Sequence, residues 1–182
     1  MRNSTRLLSQ APSLETERLI LRPYRNDDFA AISAIWADPV IQLYTTGRDL
    51  SQEETWARTL RNAGLWPMLG FGYWAVEEKS SGDLVGEVGF ADFKREMQPS
   101  IEGVPEAGWI LASRFHGKGY ATEAVRAALA WRDEHIPDAQ TVCVIHQGNA
   151  ASVRVAEKCG FRELHRTQYK DHEVMIFLRE KK

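Results

Sequence analysis

The stretch SRFHGKGYATEA, residues 113–124, sets Arg114, His116 and Lys118 around Gly117 and Gly119, directly before a run that reads as a helix. The first amides of a helix have no internal partner, and the helix dipole places about +0.5 charge at that end. An anion is stabilised there, and glycines let the backbone approach a diphosphate with no Cβ in the way. Arg114 and Lys118 add charge that neutralises phosphate oxygens. Spelling narrows the choice of anion loop. A P-loop needs GxxxxGK[ST], and the chain contains no such string. A dinucleotide fingerprint needs a small residue where Thr122 stands, and it should follow the first strand of a βαβ unit. A basic glycine-containing turn that binds nothing stays open on these residues alone.

The elements that must position this loop follow from the hydrophobic periods. RLILRPYR reads as a first strand ended by Pro23, and NDDFAAISAIWAD as a helix capped by Asn26 or Asp27 and ended by Pro39. SQEETWARTLRNAG carries a capping box, Ser51 with Glu54, and Gly64 supplies a stop. GYWAVEEK and DLVGEVGFAD, joined by SSG, form an antiparallel hairpin, and PEAGWILAS is the next strand. The helix after the glycine loop, running to about Ile136, has Tyr120, Ala121, Ala124, Val125, Ala128 and Trp131 on one side, so it packs on something flat. TVCVIH reads as a central buried strand, NAASVRVAEKCG as a helix capped by Asn149 and closed by Gly160, and the last two strands as a hairpin. The expected fold is α/β (α+β): a mixed, mostly antiparallel sheet of six to seven strands with helices on both faces. The helix between GWILA and TVCVIH is long enough for a right-handed crossover that makes that one pair parallel. Residues 1–16 read as a loose arm and 17–182 as a single domain.

Bulk properties exclude several function classes. With 23 Lys and Arg against 25 Asp and Glu, the net charge of −2 gives no reason to expect nucleic acid as a partner. No apolar stretch reaches the ~18 residues that span a bilayer, and no secretory leader is visible. The expectation is a cytoplasmic protein with no membrane partner. Two cysteines and five scattered histidines lack metal-ligand spacing, so no metal is expected.

Arg114, Gly117 and Gly119 fit the signature of the GCN5-related N-acetyltransferases (GNAT): Arg or Gln, two residues, Gly, one residue, then Gly or Ala. GKGYATEA is similar to the RimJ/RimL-like branch, which acetylates protein N-termini or small amines. ETERLILRPYRNDDF resembles that branch's opening strand and helix, and NAASVRVAEKCGF its segment after the fifth strand, with Asn149, Ser152, Lys158, Gly160 and Phe161 in register. Together the three cover the chain from about Glu15 onward.

The resemblance implies acetyl-CoA as co-substrate, lying in a V-shaped gap between the fourth and fifth strands. Its pantetheine arm would pair with the backbone of Trp109, Ile110 and Leu111. Its pyrophosphate would sit on the loop of Arg114, Phe115, His116, Gly117, Lys118, Gly119, Tyr120, Ala121 and Thr122. Asn149 would reach the pantetheine arm while also serving as a helix cap. Ser152 aligns with a serine that some members place near the sulfur, and with Glu106 it is the candidate for proton handling; Glu87 and His146 are rivals. The implied reaction is direct transfer of acetyl to a primary amine, which needs a neutral nitrogen and donors for the developing oxyanion. A non-catalytic acyl-CoA-binding module is the alternative. Trp36, Trp56, Trp66 and Trp74 read as core in preference to acceptor lining, Cys159 as a buried thiol, and the chain as a monomer or homodimer.

Overall fold

The computed structural model describes residues 8–136 and 140–181. Eight strands form one sheet: β1 (Leu14–Glu15), β2 (Leu19–Arg22), β3 (Tyr73–Glu78), β4 (Leu84–Ala91), β5 (Glu106–Leu111), β6 (Gln140–His146), β7 (Arg162–Tyr169) and β8 (His172–Glu180). The spatial order is β1-β2-β3-β4-β5-β6-β8-β7, and every pair is antiparallel except β5–β6. The count exceeds six to seven because Leu14 and Glu15 pair with Leu21 and Ile20. Two residues carry no readable period, so this strand is invisible to patterning. Within the stretch read as an arm, Ala11 is buried and the Pro12 carbonyl accepts a bond from Trp74 Nε1 at 2.7 Å. The described part of that stretch is therefore fastened to the sheet where it reaches the core; residues 1–7 lie outside the described residues.

Among the described residues five α-helices cover the sheet: α1 (Phe29–Trp36), α2 (Pro39–Gln42), α3 (Gln52–Leu69), α4 (Tyr120–His135) and α5 (Ala150–Lys158). Neither Asn26 nor Asp27 caps α1. Asp28 takes that position, accepting from the Arg25 N–H at 2.7 Å and holding Arg22 by two bonds of 2.8 and 2.7 Å. Pro39 does stop α1, and it also opens α2, with the Asp38 side chain as cap. Ser51 and Glu54 form the expected capping box on α3. Gly64 does not end that helix, because a glycine inside a helix costs only about 1 kcal/mol and the buried Trp66 beyond it repays that in packing. The stop is Gly70, whose φ of 78° is the left-handed conformation of a helix end.

α4 buries Tyr120, Ala124, Val125, Ala128 and Trp131, as its pattern dictates, with Ala121 half-buried. Trp131 meets Trp66 and Trp74 edge to face, at centroid distances of 5.1 and 5.3 Å. This aromatic cluster fixes α4 and the end of α3 on the sheet. No helix among the described residues is long and apolar enough to cross a membrane.

Candidate active site

β5 and β6 share one ladder pair, Glu106 with Val142, and then part. The opposite edge of β5 stays paired with β4 from Glu106 to Leu111. Backbone groups alternate in direction along a strand. The Pro105 carbonyl points at β6, where it accepts from Val142 N–H, and the Ala112 N–H points at β4, where it donates to Val85. The backbone groups of Ala107, Trp109 and Leu111 therefore face the gap. His116 Nε2 lies 2.8 Å from the Leu111 carbonyl, which among the described residues leaves the Trp109 N–H and carbonyl and the Leu111 N–H to pair with an incoming chain.

Where the strands diverge, a cleft of about 350 Å³ opens. Trp109, Ile110 and Leu111 form one wall. Phe115, His116, Gly117 and Gly119 form its end, and Tyr120, Ala121 and Thr122 continue it along the first turn of α4. Gly117 and Gly119 have φ of 76° and 82°. Gly119 is the N-cap of α4 and has no side chain with which to cap it, so among the described residues the first amides of the helix stay available to an anion. Asn149 and Ser152 close the other side. The Asn149 carboxamide oxygen accepts from the Ser152 N–H at 3.0 Å, the expected cap.

Arg114 and Lys118 do not line this cleft. Both are exposed and lie over the Phe115 ring, at 4.6 and 5.1 Å, and Arg114 also reaches Asp83 at 3.7 Å. Arg18 holds the loop from its far side, a residue the sequence reading did not single out. Its guanidinium donates to the Lys118 carbonyl at 2.9 Å and to Glu123 at 2.7 Å. Arg18 is in contact with a loop a hundred positions away, and only the fold brings them together.

A second cavity, of about 480 Å³, adjoins the first. Trp109, Ile110, Asn149 and Ser152 line both, which puts Ser152 at their junction. Two buried carboxylates line it, with opposite surroundings. Glu106, 5% exposed, is gripped by Arg95 through two bonds of 2.7 Å. Burial works against the Arg95 charge, and Glu106 outweighs it and holds that guanidinium above its usual range. Glu87, 2% exposed, has neutral donors only. Tyr24 Oη (2.6 Å) and Asn62 Nδ2 (3.3 Å) donate to Oε1, and Trp36 Nε1 (2.9 Å) donates to Oε2. Burial and the nearby Glu87 push the Tyr24 hydroxyl well above its ordinary value, so it remains a donor. A carboxylate oxygen accepts about two bonds, so Oε2 keeps room for one more.

His146 lies at the end of β6, its Nδ1 accepting from the Gly148 N–H at 3.0 Å and its ring near those of Tyr44 and His172. Of Trp36, Trp56, Trp66 and Trp74, Trp66 and Trp74 are core and Trp56 packs on Phe29. Trp36 is buried and also lines the cavity through its bond to Glu87. Burial pushes the Cys159 thiol up to about 11, which suits a thiol and not a nucleophile.

A cleft between diverging strands, ending on a glycine cradle at a helix start, is the arrangement that the resemblance to the acetyltransferases implies. The profile of the "Acetyltransferase (GNAT) domain" matches residues 18–162. The Bacillus subtilis protein YkkB, uncharacterised, is 33% identical over 150 residues, covering 81% of this chain and 83% of its own. A protein from Bordetella pertussis described as a "Putative GnaT-family acetyltransferase" has a TM-score of 0.82 and 30% identity, over 93% of this chain and 99% of its own. RimL, the ribosomal L7/L12 α-N-protein acetyltransferase solved with coenzyme A, shares the fold at a TM-score of 0.74 and 17% identity, over 93% and 98% of the two chains. The chain belongs to the GNAT superfamily of acetyl-CoA-dependent N-acetyltransferases.

Proposed function

We propose that this protein transfers acetyl from acetyl-CoA to a primary amine by direct attack, with both substrates bound at once. The observation that carries this reading is the single β5–β6 ladder pair beside an uncapped α4 start: it frees a strand edge and a set of amides in one cleft. The strand edge at Trp109 and Leu111 holds the pantetheine arm as an added strand would, and the amides from Gly117 to Thr122 hold the pyrophosphate. Acetyl-CoA supplies an activated acyl carbon at the junction of the two cavities. The amine enters from the larger one. Glu87, with one free acceptor position and no cationic partner, takes the proton that the ammonium must lose before it can attack. Glu106 is committed to Arg95 and acts as a fixed wall. A β5 backbone N–H donates to the acyl oxygen as charge builds there, and the Ser152 hydroxyl, at the junction, hydrogen-bonds the departing sulfur. Holding amine and acyl carbon in register accounts for much of the rate.

Thiol release from acetyl-CoA in the presence of an amine panel tests the reading. The expected result is turnover with at least one amine class and a rise in melting temperature with acetyl-CoA alone. Absence of both refutes it. Stabilisation without turnover by any amine reduces the protein to an acyl-CoA-binding module.

A further inference from the structure

The charges in the larger cavity do not balance. Arg95 and Glu106 satisfy each other. What remains is Glu87 against Arg58, Arg61 and the exposed Lys170. Arg58 and Arg61 stand one turn apart on α3, on the same face. Arg58 is half-buried, its guanidinium 4.0 Å above the Trp36 ring. Arg61 lies 4.9 Å from the Phe93 ring and donates to Asn62 Oδ1 at 3.2 Å. Among the described residues, neither has a carboxylate within 4.0 Å. Burial, followed by repulsion from Arg61, holds Arg58 below its usual pKa, and the attraction of Glu87 does not make up for them. Two adjacent guanidiniums that line the cavity, with no carboxylate in contact with either among the described residues, form a site for an anion.

Asn62 links that site to the chemistry. Its oxygen accepts from Arg61 and its nitrogen donates to Glu87, so one carboxamide separates the guanidinium from the carboxylate. An acceptor bridging both would carry its anion only a few bonds from its amine. A polyamine would bring a second cation to a wall that is already positive.

We infer that the acceptor is a small amine bearing a nearby carboxylate or phosphate, which Arg58 and Arg61 hold while its nitrogen faces Glu87. This rests on the acetyl-transfer reading and specifies its substrate class. The test measures kcat/KM by thiol release for three kinds of amine. These are anionic ones (alanine and phosphoethanolamine, which separate carboxylate from phosphate), a neutral analogue (alaninamide), and spermidine. The expected result is that at least one anionic amine exceeds both alaninamide and spermidine by ten- to a hundredfold, the range of a charge-assisted hydrogen bond. In Arg61→Gln and Arg58→Gln the ratio of anionic to neutral kcat/KM falls about tenfold or more, and Arg58→Lys recovers part of it. Arg61 is exposed, so its variant keeps the fold, and an unchanged melting temperature confirms it. Spermidine or alaninamide matching the anionic amines overturns the inference while leaving acetyl transfer intact. An unchanged ratio in both glutamine variants overturns it as well. No thiol release with any amine overturns both readings.

Discussion

The cleft proposed for the acetyl donor and the cavity proposed for the amine acceptor meet at Trp109 and Ser152, yet they are built by different means. The cleft works through backbone: a strand edge left open, two glycines at positive φ and the amides of one helix turn, drawn mostly from residues 109–122. The cavity works through side chains from α1, α3, β4 and the β7–β8 hairpin. Binding by backbone tolerates almost any side chain but demands a particular chain path, so its requirements collect in a short stretch. Binding by side chains demands particular residues and leaves their order in the chain free. The two halves should therefore fail differently under substitution.

The largest effect is expected on the acceptor side. Glu87→Gln removes the cavity carboxylate that has no cationic partner among the described residues, and sets an amide nitrogen against one of three donors. We expect kcat/KM for the amine to fall by about 10²- to 10³-fold, the scale of a lost general base. KM for acetyl-CoA should change by less than about threefold. Steady-state thiol release measures both; a comparable loss of acetyl-CoA binding would dissolve the distinction between the halves.

Glu106→Gln sharpens the contrast between the two carboxylates. It strips the half-buried Arg95 of its partner, so the cost falls on stability, about 2–3 kcal/mol. Differential scanning calorimetry should show a melting temperature lower by roughly 4–10 °C, while kcat in the surviving folded protein stays within about fivefold. A loss of kcat as large as that of Glu87→Gln would instead make Glu106 the base.

The same division explains what could be read before the fold was known. Gly117 and Gly119 with Arg114 are informative because the cradle's chemistry is local, and the helix pattern that follows fixes where the amides lie. The parallel crossover and the buried face of α4 were legible for the same reason. Glu87 and Glu106 look alike in sequence, each a carboxylate on a strand. Only the arrival of Arg95 at one, and of Tyr24, Trp36 and Asn62 at the other, separates them. Arg58 and Arg61 read as the polar face of an ordinary helix until β3 and β4 place a cavity beside them. Gly64 reads as a stop because local rules cannot weigh the burial of Trp66 two residues on.

A smaller effect belongs to the donor side. Gly119→Ala puts a Cβ on a residue at φ 82°, where the strain is about 1–2 kcal/mol. The added carbon itself has room, its nearest neighbour being Arg18 Nη2 at 3.5 Å. The loop would relax by shifting the α4 amides, and the acetyl-CoA dissociation constant should rise about tenfold by calorimetry. The kcat at saturating acetyl-CoA should hold within a few-fold, the inverse of the Glu87→Gln pattern.

The smallest effect is expected where the sequence placed most charge. Arg114 and Lys118 are both exposed, and both lie on the Phe115 ring outside the cleft wall. A cation in that setting acts on phosphate through water and salt, and exposed pairs contribute about 0.2–1 kcal/mol. Arg114→Ala and Lys118→Ala should each weaken acetyl-CoA binding by no more than about fivefold. The loss should shrink between 50 and 500 mM salt, whereas the tenfold loss in Gly119→Ala should persist, because strain is not screened. A large, salt-independent loss in either variant would mean that the side chain reaches the pyrophosphate directly. The donor half would then depend on side chains as the acceptor half does.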